Sequence, residues 1–360
     1  MTKSDRHISI IDPSIDKRWD EFAISNSFGY IYHTSLWKEI IETAFPHIKA
    51  MFLAIINKES DKIIAGLPLY YVKSWLLGNR FVSVPYATAC SPLVNDCQEL
   101  GCFINHILNL NISEFKRTKG FELRNFRKED KFDLTGMKAS TFHKYHYLLL
   151  GKNINETMSR FDRHVRQNIK KAEGSNLKLH EVTSENELKI FYKLYVRHRQ
   201  EHCLPPHPYR FIHLLWEKLY PKGHLDVMLL DYENKFIGGI LQLKFKDRVS
   251  LELLVTDKNY LNIRPNNMLV WGAIKKAIAE GYNMFDFGRT HVSNNGLLRF
   301  KRNWGTIEED LYMIISPCKP INNIVNQNNA IVKNLLRYLY KPLPLWASKI
   351  IGEFVYSHFA

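Results

Sequence analysis

Residues 52–69 read FLAIINKESDKIIAGLPL, and residues 225–242 read LDVMLLDYENKFIGGILQ. Each stretch is an apolar run, a polar turn, and a second apolar run that opens on a small residue and glycine. Lys62-Ile63-Ile64-Ala65-Gly66 aligns with Lys235-Phe236-Ile237-Gly238-Gly239 at an offset of 173 (235 − 62). Turn chemistry and the β-branched and aromatic content make both a β-hairpin. A second echo follows in the same order. A helical stretch within 101–126 reaches Lys119-Gly120 and the strand Phe121–Phe126. A stronger helix within 264–287 reaches Glu280-Gly281 and the strand Tyr282–Phe287. Glycine at each helix end suits a C′ position with positive φ. Hairpin, helix and strand, twice and in order, predict a duplicated α/β chain.

The spacing places the boundary near residues 140–155, giving a first domain over 1–145 and a second over 146–318. The strand Tyr145–Leu150 opens the second, and a helix from Asn153 or Asn155 runs to Gly174. Residues 319–360 read as a polar, asparagine-rich connector followed by a tail that alternates apolar residues with Lys333, Arg337, Lys341 and Lys349. The tail is either a helix packed on the body or an amphipathic segment at an anionic membrane.

The chain has 360 residues, enough for two domains, and 45% are hydrophobic. Fifty lysines and arginines against 36 acids give a net charge of +14, which points to an anionic partner. No signal-peptide stretch and no run of about 18 apolar residues is present. The five cysteines are an odd set with no CxxC pair, as in reduced thiols. These features predict a cytoplasmic protein, with the inner membrane face as a peripheral address. GxSxG, Walker and GxGxxG motifs are absent. His198, His202, His207 and His213 cluster, but Pro205, Pro206 and Pro208 divide them and no HExxH spacing occurs, so no metal site is expected.

Three basic segments carry the candidate chemistry. Strand 249–255, loop 260–267 and the helix opening at Pro265 leave free N–H groups for a pyrophosphate, with Arg264 and Asn267 at the helix start. An ordinary capped helix fits the same pattern. From 288 to 302 stand Arg289, Arg299, Lys301 and Arg302 with no acid, flanked by Phe300 and Trp304. A cationic rim over an apolar floor would stabilise a phosphate or an oxyanion. On the helix through 155–173, Arg163, Arg166 and Lys170 share one face, while Met158, Val165, Ile169 and Ala172 turn to the core.

The ordered blocks Tyr32-His33-Thr34-Ser35-Leu36-Trp37, Ala65–Leu69, Pro85-Tyr86 to Ser91-Pro92-Leu93, Val165–Ala172, Leu204–Pro208, Arg264–Leu269, Phe285–Arg289 and Arg299–Gly305 resemble the FemAB-like, BioF2-like (Acetyltransf_6) branch of the GCN5-related N-acetyltransferase (GNAT) superfamily. The resemblance spans roughly residues 28–315. It implies two tandem acetyltransferase-like α/β domains with mixed, largely antiparallel sheets flanked by helices. It also implies acyl or aminoacyl transfer to an amine on a cell-envelope saccharide or peptide precursor. The donor would be acyl-CoA or aminoacyl-tRNA, with no metal; tRNA and the membrane face join the donor and acceptor as expected partners. Three positions depart from the pattern. No glycine stands in Arg264–Met268 where acetyltransferases carry R/QxxGxG/A, the long helical arm of FemA and FemB has no counterpart, and Cys203 replaces a glycine before the prolines.

By the same resemblance Lys301 is the cation that stabilises the tetrahedral oxyanion, and Arg289 and Arg299 hold phosphates. Asp286 is a proton acceptor or a partner of the arginines. His33 and Trp37 belong to an acceptor cleft, Arg163 and Arg166 clamp a phosphate, and Trp304 lies beside the cations. Two other functions fit the sequence: an acyl-CoA-dependent N-acyltransferase of a nucleotide sugar, and a non-catalytic binder of RNA or anionic membrane.

Overall fold

The computed structural model describes residues 5–109, 118, 120–127, 139–316 and 340–358. Its chain divides into two compact units, one drawn from Met1–His143, Asp310–Ile324 and Tyr356–Ala360, the other from Lys144–Glu309 and Val325–Val355.

The first unit runs β1 (Arg6–Ile11), α1 (Arg18–Ser25), α2 (Ser35–Ala44), β2 (Ile48–Asn57), β3 (Ile63–Val72), β4 (Arg80–Val82), α3 (Cys97–Leu108) and β5 (Phe121–Arg127). Its strands lie in the order β1-β2-β3-β4-β5, antiparallel except for the parallel pair β4–β5. The second follows β6 (Ala139–Leu149) with α4 (Ile154–Ser159) and α5 (Arg163–Glu173). Then come β7 (Lys178–Glu181), α6 (Glu185–Glu201), α7 (Tyr209–Leu219), β8 (Leu225–Tyr232), β9 (Lys235–Phe245), β10 (Arg248–Thr256), α8 (Pro265–Ala279) and β11 (Met284–His291). The order β7-β8-β9-β10-β11 recurs, with β10–β11 the parallel pair. From β1 to β5 and from β7 to β11 the element sequence is the same. α9 (Asn295–Arg302), β12 (Ile307–Ser316) and α10 (Leu345–Tyr356) follow among the described residues. β6 borders β11, while β12 pairs antiparallel with β5.

The echoed glycines have a packing reason. A Cβ on Gly66 would stand 2.7 Å from the Trp19 ring, and one on Gly239 would stand 2.7 Å from the Phe191 ring. In each unit an aromatic side chain from the helix after the first strand lies on the second strand of the hairpin, and only glycine leaves room for it. Several helix starts carry side-chain caps. Thr34 accepts from Trp37 N, Asp96 from Glu99 N, and Ser184 and Glu187 form a capping box.

Two sequence expectations need correction. The single basic helix across 155–173 is two helices, α4 and α5. Asp162 caps α5 by accepting from His164 N, and Phe161 turns into the core, so the chain breaks between them. The strand expected from Tyr145 starts earlier, at Ala139. Residues 319–339, most of the connector and tail, lie outside the described residues, as do Lys333 and Arg337. The final stretch contains α10.

Candidate functional site

β10 and β11 pair over three steps only, Arg248↔Met284, Val249↔Phe285 and Ser250↔Asp286. Beyond Ser250 and Asp286 both strands continue, to Thr256 and His291, without pairing to each other. Two local features open this fork. The β9–β10 register slips between Leu251 and Leu253, making Glu252 a bulge. Gly288 has φ 72°, a left-handed conformation that suits glycine in the middle of a strand. Residues 251–254 are half-buried although β10 is an inner strand of the sheet, as expected where its neighbour has swung away.

Asp286 sits at the crotch and is almost wholly buried. Its Oδ2 accepts from Tyr145 Oη at 2.6 Å and Ser250 Oγ at 3.3 Å, and its Oδ1 accepts from Gly288 N at 2.6 Å. Burial pushes its pKa up, against the lowering effect of the Tyr145 and Gly288 donors and of the Arg248 and Lys301 charges.

Lys301 lies in the last turn of α9, which Asn294 caps by accepting from Leu297 N. Its side chain is 6% exposed, and Nζ donates to Gly288 O at 3.0 Å and Arg289 O at 3.1 Å. These carbonyls belong to the part of β11 that has left β10, so the lysine meets acceptors the sheet no longer serves. Burial lowers its pKa to about 7; Arg289 adds to that and Asp286 and Glu252 oppose it. At neutral pH the amine is therefore poised between its two protonation states. Next to it, Arg302 forks onto Glu308 with Nε–Oε2 at 2.6 Å and Nη2–Oε1 at 2.8 Å, and Glu308 also meets His146 Nε2 at 2.9 Å. That bidentate grip ties the end of α9 to β12. Burial lowers the His146 pKa to about 4, and the nearby Lys301 charge acts in the same direction.

At the start of α8, Arg264 is left-handed (φ 62°). Of the first four N–H groups, Arg264 N bonds to Leu261 O, Pro265 has none, and Asn267 N bonds to Arg264 O. Asn266 supplies the remaining one. The helix start thus lacks the several free backbone donors by which a glycine loop cradles a pyrophosphate. These residues do not fit that mode of holding acyl-CoA.

The remaining expected site residues are scattered. Arg289 and Arg299 are exposed, on β11 and α9. Arg163 and Arg166 share the exposed face of α5, where Arg166 donates to Phe161 O. Trp304, expected beside a substrate, is fully buried, with its ring centroid 5.1 Å from that of Phe161 and 6.0 Å from that of Phe287. It is core, so the apolar floor expected under the cations is not a surface. His33 and Trp37, expected in an acceptor cleft, are also interior. His33 Nδ1 accepts from Tyr30 N at 3.0 Å and Nε2 faces Ser91 O at 2.8 Å, which fixes the ring between two loops, and Trp37 packs edge-on against Tyr32. Sequence reasoning missed Tyr145 and Ser250 as partners of Asp286, because 141 and 36 residues separate them from it.

Residues 159–302 match the family model of the acetyltransferase (GNAT) domain. No curated protein sequence matches the chain at a significant level. Among solved structures, FemX is similar with a TM-score of 0.68 at 12% identity, covering 86% of this chain and 96% of that one. A tandem GNAT protein from the clavulanic acid biosynthesis pathway is similar with a TM-score of 0.55 at 9% identity, covering 86% and 97%. L-PGS from Bacillus licheniformis is similar with a TM-score of 0.50 at 12% identity, covering 86% and 96%. At these identities the likeness is one of fold.

Proposed function

From the acetyltransferase (GNAT) domain at residues 159–302, which makes the protein a GNAT-type acyltransferase, we propose that it transfers an aminoacyl group from aminoacyl-tRNA to an amine on a cell-envelope saccharide or peptide precursor. The observation that carries the transfer chemistry is the opened β10–β11 fork with Lys301 buried at its edge. A neutral acceptor amine attacks the acyl carbonyl; the N–C bond forms, the bond to the donor's leaving oxygen breaks, and the ammonium proton passes to that oxygen. Protonated Lys301 would stabilise the oxyanion between these events. Three donors on Asp286 support a positioning role, holding the crotch and the Gly288 turn in place.

The start of α8 favours tRNA over acyl-CoA; the net charge of +14 suits either anionic donor. Calorimetric titration of the whole protein with acetyl-CoA and with charged tRNA separates them. Charged tRNA should bind at least tenfold more tightly, and labelled amino acid should reach an amine-bearing envelope precursor. Tight acetyl-CoA binding without such transfer would move the assignment to the CoA-dependent reading.

An anionic membrane surface is the second partner in this proposal. Trp346, Ile350 and Phe354 recur every four residues along α10 and are 66%, 57% and 53% exposed. Residues 311–360 hold five cations and one acid, Glu353 in α10. An exposed apolar stripe with such flanking charge suits the headgroup region. No helix among the described residues is long and apolar enough to cross a membrane. Vesicles containing anionic lipid should therefore sediment with the protein, neutral vesicles should not, and Trp346→Ser with Phe354→Ser should lower the bound fraction several-fold. Equal binding to both vesicle types would remove the membrane from the scheme.

A further inference from the structure

The basic helix α5 starts against the end of α9. Asp162 N, at the cap of α5, donates to Asn303 O at 2.8 Å, two residues after Lys301. Beside that bond a Cβ on Gly305 would stand 2.3 Å from Arg160 O, and the Phe161 ring meets Trp304 edge-on at 5.1 Å. The junction of α4 and α5 is therefore clamped to the helix that bears Lys301, and α5 runs on from there.

Helical geometry divides α5 into two faces. Val165, Ile169 and Ala172 are buried, while Arg163, Arg166, Lys170 and Lys171 are exposed. At about 100° per residue, Arg163, Arg166 and Lys170 fall within about 60° of one another on the side away from the core. They span about 10 Å along the axis. The neighbouring acids are engaged elsewhere. Asp162 accepts from His164 N, Glu156 pairs with Arg160, and Glu173 accepts from Trp271 Nε1 and Lys275 Nζ. Arg163, Lys170 and Lys171 meet no acid among the described residues, and neither does the exposed Arg299 of α9.

A hollow of about 450 Å³ lies beside this face, lined by Asn155, Met158, Ser159 and Arg166. Arg166 donates to Phe161 O, which ties its guanidinium down at the edge of the hollow.

We propose that this face is where the RNA part of the donor docks. Arg163, Lys170, Lys171 and Arg299 take backbone phosphates, and the hollow beside Arg166 takes an unpaired base. The inference rests on aminoacyl-tRNA being the donor. Cations strung along a helix suit a chain of phosphates, whereas a compact pyrophosphate needs them to converge. An unpaired base gains stacking energy on a guanidinium plane. The outer face of α5 has no large apolar side chain to enter a bilayer, in contrast to α10. A strand held here lies next to the helix that bears Lys301.

The test uses the full chain and uncharged transfer RNA, with binding followed by fluorescence anisotropy over a series of salt concentrations. Arg163→Gln with Lys170→Gln should weaken binding at least tenfold. It should also make the slope of log K against log salt shallower by about one to two, from roughly 0.7–0.9 for each lost phosphate contact. Lys193→Gln with Lys222→Gln removes the same charge from exposed positions on α6 and before β8, and should leave binding within about twofold. Arg166→Lys keeps the charge but loses the plane, and should weaken binding several-fold at an unchanged slope. In transfer assays Arg163→Gln with Lys170→Gln should raise KM for charged transfer RNA and leave kcat near the wild-type value. Wild-type binding that survives this pair of changes would overturn the docking face and leave the donor reading intact. A wild-type protein that binds no transfer RNA would overturn both. Equal losses in the two double variants would assign the effect to net charge, and loss of anionic vesicle binding with RNA binding retained would give the face to a membrane; either result overturns the proposal. Full affinity in Arg166→Lys would overturn the role of the hollow.

Discussion

Lys301→Met is expected to lower the transfer rate by about 10²–10³-fold, the range seen when one oxyanion-stabilising donor is removed, while the protein stays folded. The methionine fills a similar volume, so the loss reports charge and hydrogen bonding rather than a cavity. The pH dependence gives a second readout with a definite sign. The Lys301 pKa is about 7 in the folded chain and has an ordinary value of 10.5. Below pH 7 both folded and unfolded chains hold the proton, and the full penalty of burying the charge opposes folding. Between about 7 and 10.5 the unfolded chain binds more protons, so stability rises with pH across that window. The difference in urea stability between wild type and Lys301→Met should therefore shift in favour of wild type from pH 6 to pH 9.5. If the protonated amine is the active form, wild-type transfer should also decline above about pH 7, and that limb should be missing from the variant. A variant with wild-type kcat at neutral pH would exclude Lys301 from the chemistry.

Trp304→Ala is expected to cost about 3–5 kcal/mol of stability, the usual loss for truncating a large buried aromatic. The ring is fully buried, contacts Phe161, Phe287 and Phe300, and has no hydrogen bond at Nε1. It is the floor on which the β11 end and the α9 turn rest, so activity should fall through loss of folded protein. Trp304→Phe keeps most of the apolar volume and leaves no polar partner behind; its folded fraction should transfer at close to the wild-type rate. Chemical denaturation and rate measurements on the same samples separate the two effects. A stable Trp304→Phe protein with a hundredfold slower rate would return this residue to the substrate surface.

Trp304 also illustrates how far the sequence reaches. Arg299-Phe300-Lys301-Arg302-Asn303-Trp304 reads as cations interleaved with aromatics, and the reading of Lys301 as a special residue rests on the family resemblance. Helical geometry alone separates these side chains. Leu298 and Lys301 turn inward on α9, Arg299 and Arg302 turn outward, and Trp304 follows the helix into the core. The basic pattern is the same whether a lysine is solvated or desolvated. Only burial distinguishes an ordinary amine from one held near neutrality.

The sequence by itself determined what neighbouring residues decide: the repeated hairpins with their spaced glycines, the proline-led start of α8, and the capped helices. Turn chemistry, backbone freedom and hydrophobic period act over a few residues, so one strand of sequence contains them. The tertiary structure alone decided that β6 comes to border β11, bringing Tyr145 to Asp286 across 141 residues. It also decided that the β10–β11 pairing stops after three steps, that Lys301 is buried at the edge of the opening, and that His33, Trp37 and Trp304 are interior. Those outcomes depend on which surfaces exclude water from which side chains, a property of the packed chain that no local run of residues carries.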